Sequence, residues 1–232
     1  MKKLFTFVAV AFVATLTSLN ADAQVALGVR GGVNIAKLYK IGPGEWSSDE
    51  IGPHLGLIIG YSFSQKFSLQ TEVNYSGQGD LIGYIRSEDG LTESGVINTR
   101  INYLSIPVLA KARFGSEKFG FFINGGPYIG YALSGRFRES HTLEGFGFRH
   151  NIRDEGEIDF KEDGLKRFDF GVTLGTGVMF KVGPGDIFVE GRYSYGLMDI
   201  TDWDGERPEG ESPLRNRYFT VSAGYIIPLG GR

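Results

Sequence analysis

Six charged side chains and three histidines are the groups in this chain whose types and spacing could do chemistry. Arg30, Glu72, Lys111, Asp169, Glu190 and Arg192 each fall on the polar side of a stretch in which apolar and polar residues alternate. If those stretches are strands, period two places all six on one face of a sheet. Three are cationic and three anionic, so they can neutralise one another. Buried charges require partners, and the expected role is a structural ion network; a gated ion path or proton-linked site is the competing reading. His54 lies on the same face. His141 and His150 are nine positions apart, with Glu139, Glu144 and Asp154 nearby. Metal sites use helical or knuckle spacing and frequent cysteines, and neither is present, so no metal and no cofactor is expected. A lipid-modifying enzyme would need a serine, a histidine and an acid together, and His54 with a loop serine is the only crude candidate. The glycine-rich segments do not stand between a strand and a helix, as phosphate-binding loops do. The expectation is a protein that is not an enzyme.

The stretch that must position these groups is a hairpin, Phe168 to Leu197. Phe168, Phe170, Val172, Leu174, Val178 and Phe180 alternate with Asp169, Gly171, Thr173, Gly175, Gly177 and Met179. After Gly183-Pro184-Gly185 the pattern resumes, with Ile187, Val189, Tyr193, Tyr195 and Leu197 opposite Glu190, Arg192, Ser194 and Gly196. Each arm matches the roughly 9–11 residues of a tilted strand that crosses a bilayer.

The chain begins with Lys2-Lys3, an apolar run from Leu4 to Leu16, and Ala21-Asp22-Ala23. This is the layout of a secretory signal peptide, so the expected division is a signal peptide over 1–23 and a barrel domain over 24–232. There is no cysteine and no later apolar run long enough for a membrane helix. The net charge of −3 gives no reason to expect nucleic acid. Glycine-rich, aromatic-rich composition with moderate charge suits a membrane β-barrel, whose sequence alternates instead of running apolar.

Eight strands are predicted: 26–36, 53–63, 67–76, one around 103–111, 119–133, the two arms of the hairpin, and 218–229. Connections alternate. Those after the first, third, fifth and seventh strands are long, and those after the second, fourth and sixth are short, as in outer-membrane barrels. Sequence up to Arg86 with a turn at Asp89-Gly90 reads as a hairpin carrying the third and fourth strands beyond the membrane. Ser134 to Lys166 reads as a long charged loop. The apolar faces contain no charge, and aromatics gather at strand ends in two groups. Tyr61, Phe63, Phe67, Phe114, Phe119 and Phe180 lie on the short-turn side; Tyr75, Tyr131, Phe168 and Tyr195 lie on the other. Pro53, Pro107, Pro127 and Pro228 each remove a ladder donor, so bulges or strand ends are expected there.

The stretches NYLSIPVLAKARF (Asn102 to Phe114), FDFGVTLGTGVMF (Phe168 to Phe180), VEGRYSYGLMDI (Val189 to Ile200) and RNRYFTVSAGYIIPL (Arg215 to Leu229) resemble the small outer-membrane β-barrels common in Bacteroidetes-type bacteria, the PorT-like family. The resemblance implies an eight-stranded antiparallel up-and-down transmembrane β-barrel, integral to the outer membrane. It implies little about activity. Gly224, Ile227 and Leu229 resemble the terminal signal read by barrel-insertion machinery, without its terminal aromatic. The expected partners are the outer-membrane bilayer with its lipopolysaccharide, the insertion machinery through the last strand, and an extracellular partner through the loops, notably 134–166. The chain is expected to be a monomer with both termini periplasmic. Its expected role is structural or adhesive; a narrow pore and a lipid-A-modifying enzyme are the alternatives.

Overall fold

The computed structural model describes residues 24–36, 45–88, 90–203 and 213–229, with the side chains of 45–47 left aside. The expected signal peptide, the turn at Gly42-Pro43-Gly44, Asp89, Asp204-Gly205 with Pro208, and Gly230-Gly231-Arg232 lie outside the described residues. Nine strands follow in order: β1 (Gln24–Ala36), β2 (Glu45–Ser62), β3 (Phe67–Glu88), β4 (Leu91–Gly115), β5 (Phe119–Gly145), β6 (Phe148–Glu157), β7 (Phe168–Val182), β8 (Gly185–Gly196) and β9 (Arg217–Pro228). Every neighbouring pair is antiparallel, and β1 pairs with both β2 and β9. The sheet therefore closes on itself, in the ring order β1-β2-β3-β4-β5-β7-β8-β9. Closure leaves no strand edge within the ring, which removes the unpaired backbone groups that a membrane cannot satisfy.

The alternation read from the sequence appears directly in burial. Along β7, Phe168, Phe170, Val172 and Leu174 are exposed, while Asp169, Gly171, Thr173 and Gly175 are buried. β8 repeats the pattern, with Ile187, Val189 and Tyr193 outward and Phe188, Glu190, Arg192 and Ser194 inward. The ring thus presents an apolar exterior around a largely polar interior, the arrangement of a membrane barrel; a soluble barrel carrying an apolar ligand would have the reverse. Phe119 meets Phe121 edge-on and Phe180 at a tilt at the short-turn end, and Tyr131 meets Phe168 edge-on at the other.

Short turns close the first end. Val182 pairs with Gly185 across Gly183-Pro184, and Gly183 has φ +61°, a left-handed conformation that glycine adopts without steric cost. Long strands extend the other end. β3 and β4 run on as the expected hairpin to Gly90. The segment 134–166 differs from the expected loop. β5 continues to Gly145, turns through Phe146-Gly147, and returns as β6, paired from Arg136↔Glu157 to Gly145↔Phe148. Together with the outer parts of β2, β3 and β4, this hairpin builds a five-stranded sheet standing above the ring. Its residues are charged on exposed positions, as in Arg138–Glu155, which is why composition alone resembled a loop.

The prolines divide into two kinds. Pro53 lies in a one-residue register shift between Asp49 and His54, and Pro228 ends β9, as expected of residues that cannot donate to the ladder. Pro107 and Pro127 instead sit inside continuous strands. Pairing of β4 with β5 skips from Pro107↔Tyr128 to Ala110↔Gly125 without a change of register. The missing donors are accommodated by unpaired rungs, and Thr71 Oγ1 donates to the Pro107 carbonyl at 3.0 Å.

The interior is layered. At the short-turn end Ile58, Phe122, Met179, Phe188 and Ile226 form an apolar cluster. At the far end Phe160 packs on Ile101, Tyr103 and Ala132. Polar and charged residues occupy the space between.

Candidate functional site: a charge quartet across the lumen

The middle layer is built by inward positions of β1, β3 and β8. Arg30 pairs in register with Gly56, which pairs with Asn74; Arg192 faces Gly175. Glycine at 175 leaves room for this packing: a Cβ there would lie 2.5 Å from Glu190 Oε1 and 2.6 Å from Asn124 Oδ1, so both side-chain ends would have to shift. The small residue on one strand makes room for the charged group on the next.

Four of the six candidate charges meet. Arg30 Nη1 donates to Glu72 at 2.9 and 3.1 Å and approaches Glu190 through Nη2 at 3.2 Å. Arg192 donates to both Glu72 oxygens at 2.8 and 2.9 Å, and its Nε reaches Glu190 Oε1 at 2.7 Å. Each guanidinium therefore contacts both carboxylates. Arg192 stands on β8 and Glu72 on β3, four strands away around an eight-strand ring. The pair crosses the full lumen, and Arg30 on β1 lies midway. Arg30, Glu72, Glu190 and Arg192 are all at most 4% exposed.

Neutral side chains complete the layer. Gln70 and Asn74 donate to Glu72 at 2.6 and 2.8 Å, Asn124 donates to Glu190 at 3.0 Å, and Arg30 also donates to Ser222 Oγ. Such additional hydrogen bonds are what a buried ion cluster needs to offset desolvation. Gln70, Asn74, Asn124 and Ser222 were passed over in the sequence because they carry no charge, although their alternation placed them inward.

The other two candidates stand apart. Lys111 donates to Gln70 at 3.2 Å, and its ammonium lies 4.2 Å from the Phe122 ring centroid and 5.8 Å from that of Phe188. It caps the apolar layer through cation–π contact. Asp169, nearer the far end, accepts from Tyr128 and Asn216 at 3.0 Å each. His54 contacts Ser76 Oγ at 3.0 Å through Nδ1; Ser76 is a buried strand residue rather than a loop serine. Above Arg192, among His54, Asn74, Tyr128 and Tyr218, the space amounts to about 10 Å³, at the lower limit of what one water needs.

His141 and His150 do not converge. His141 contacts Glu139 at 2.6 Å through Nε2 and the Tyr84 hydroxyl at 2.5 Å through Nδ1, while His150 is exposed on β6. Among the described residues no group of three metal-binding side chains forms. The far mouth is tied down by Asp199. It accepts from the Thr201 and Leu214 amides and from Trp203 Nε1, at 3.1 to 3.2 Å. Burial works against its charge, yet these hydrogen bonds hold its carboxyl below the ordinary aspartate value.

Curated protein sequences give no match. Among solved structures, Neisserial surface protein A shares 15% identity, covering 88% of this chain and 96% of that one, at a TM-score of 0.40. Ail, the attachment invasion locus protein of Yersinia pestis, shares 13%, covering 88% and 97%, at 0.36. The N-terminal barrel domain of Pseudomonas aeruginosa OprF shares 10%, covering 89% and 100%, at 0.31. Residues 19–202 match the family model for the outer membrane protein beta-barrel domain. This chain, an eight-strand ring with an apolar exterior, belongs to that family and is an integral outer-membrane protein.

Proposed function

We propose that the barrel is a closed anchor with a structural or adhesive role, and that its extracellular work is done by the five-stranded sheet above the ring. The observation that carries this reading is the lumen itself: a neutral quartet spans it, an apolar layer closes it below, and Phe160 fills it above. An eight-stranded barrel is just wide enough for side chains to fill. Arg30, Glu72, Glu190 and Arg192, with Lys111 and Asp169 on either side, serve as a structural ion network rather than a conduction path.

Within the family the chain is read as a PorT-like member. Its signal peptide is removed after Ala23, and both termini face the periplasm, since Ala26 pairs with Pro228 at the short-turn end. Insertion machinery reads β9, and the barrel works as a monomer. No catalysis is assigned, because His54 and Ser76 lie sealed within the barrel. Incubation with lipopolysaccharide leaves the lipid mass unchanged on this reading; a mass change would replace it with the enzyme alternative.

The tip of the sheet supports the adhesive role. Phe146 is 78% exposed and adopts φ +48°, a conformation that two-residue hairpin turns reserve for asparagine or glycine. Phe148 and Ile152 are also exposed. A large apolar side chain held in an unfavourable turn, far from the ring, is suited to contact rather than stability. Proteoliposomes carrying the native barrel are expected to bind at least one immobilised matrix protein or glycan. Phe146→Asn should weaken that binding while changing stability by no more than about 0.5 kcal/mol. Unchanged binding by Phe146→Asn, or no binding by the native barrel, removes the adhesive reading.

A further inference from the structure

β6 is an edge of the protruding sheet. One side of it pairs with β5, and no described strand pairs with the other. An unpaired edge is a template for a further strand, and proteins commonly blunt it with proline, lysine or a bulge. β6 carries none of these. Residues 148–157 contain neither proline nor lysine, and the register with β5 is continuous. Every residue from Phe148 to Glu155 is exposed.

The order of charges along this edge is the informative feature. Arg149, His150 and Arg153 come first; Asp154, Glu155 and Glu157 follow. A strand whose basic half precedes its acidic half complements a second copy of itself running antiparallel. Symmetric antiparallel pairing sets one residue opposite its own copy. With Ile152 at that centre, Arg149 faces Glu155, His150 faces Asp154 and Asn151 faces Arg153, each twice by symmetry. The exposed Ile152 side chains meet in the middle. Opposite charges directly across a sheet stabilise it, and like charges destabilise it. Moving the centre to Asn151 sets Arg149 against Arg153; moving it to Arg153 sets that arginine against its own copy. Charge therefore selects the register centred on Ile152. The same register continues the existing sheet. Arg149 stands opposite Glu144 and Glu155 opposite Arg138 on β5, so the row Glu144, Arg149, Glu155, Arg138 alternates in sign across the joint.

We infer that β6 pairs antiparallel with β6 of a second copy of this chain, centred on Ile152, and joins two protruding sheets into one. Strand direction decides where the second copy stands. β6 begins at the tip, beside Gly145, and ends toward the ring, beside Arg136. In an antiparallel pair the tip of one copy lies beside the base of the other, so the two barrels point in opposite directions. The second copy is therefore in a facing membrane, and each barrel stays a monomer within its own. The inference rests on the adhesive reading of the sheet, but its contact is membrane to membrane along β6, apart from the matrix contact assigned to the Phe146 tip.

The test uses the full barrel, one per phosphatidylcholine nanodisc, with pairing of discs read by sedimentation velocity and electron microscopy. Native discs should pair face to face as their concentration rises. Arg149→Glu and Glu155→Arg should each weaken pairing by at least about tenfold, because each turns two opposite-charge pairs into like-charge ones. Mixed together, the two variants should regain native pairing, since one Arg149–Glu155 contact is then native and the other is reversed on both sides. Lys118→Glu makes the same change of charge as Arg149→Glu at the opposite end of the barrel and should pair as the native protein does. Heat-dependent gel mobility should show all three variants folded. Single variants that pair like the native barrel overturn the inference, as does a mixture that pairs no better than its components. Native discs that bind a matrix protein or glycan but do not pair overturn this inference alone and leave the adhesive reading standing.

Discussion

Arg192→Leu is expected to lower the stability of the detergent-folded barrel by about 3–5 kcal/mol, the range for breaking a buried ion pair by removing one partner. Arg192 supplies hydrogen bonds to both Glu72 and Glu190. Without it, two carboxylates share the single guanidinium of Arg30, in a layer where all four groups are nearly inaccessible to water. The loss should be mostly electrostatic, and a second substitution exposes this. Glu72→Gln combined with Arg192→Leu leaves Arg30 opposite Glu190, one charge against one, so the double variant should recover more than half of the loss. Thermal unfolding followed by gel mobility measures both. A single variant as stable as the native barrel, or a double variant whose losses simply add, would show that the quartet does not act as a unit.

Val221→Arg should be nearly as damaging, for a different reason. Val221 sits near the middle of β9, outward and exposed, between Val33 and Gly191. Arginine at the midplane of a barrel's lipid face costs roughly 2–4 kcal/mol, and folded yield into vesicles should fall accordingly. Val172→Arg should behave alike, whereas Thr173→Arg acts inside, by crowding a buried hydroxyl that contacts Ser194 at 2.9 Å. Glu144→Arg, exposed on the protruding sheet, should insert normally. Equal yields from Val221→Arg and Glu144→Arg would remove the bilayer from the account.

The parts of the molecule differ in how plainly the sequence showed them. β7 and β8 were legible because their outward positions must stay free of charge in a bilayer, so apolar residues recur at every second position along them. The extension of β5 and the whole of β6 were not. Outside the membrane neither face must be apolar, so Arg136, Arg138, Glu155 and Glu157 read as loop composition although they pair across strands. At the site, alternation placed Arg30, Glu72, Glu190 and Arg192 on one face but carried no information about which strands oppose one another. Ring closure sets that, and it brings β3 to β8. Lys111 could not be separated from the quartet by its charge; Phe122 and Phe188, inward residues that interrupt the polar face, draw it to the apolar layer.

The central claim is that the lumen is closed, and single-channel recording in planar bilayers tests it most directly. The native barrel, inserted and shown folded by its gel mobility, is predicted to give current at the level of the bare membrane across the usual range of voltages. Discrete, reproducible conductance steps from the native barrel, altered in size by Arg192→Leu, would contradict it and make the quartet part of a pore.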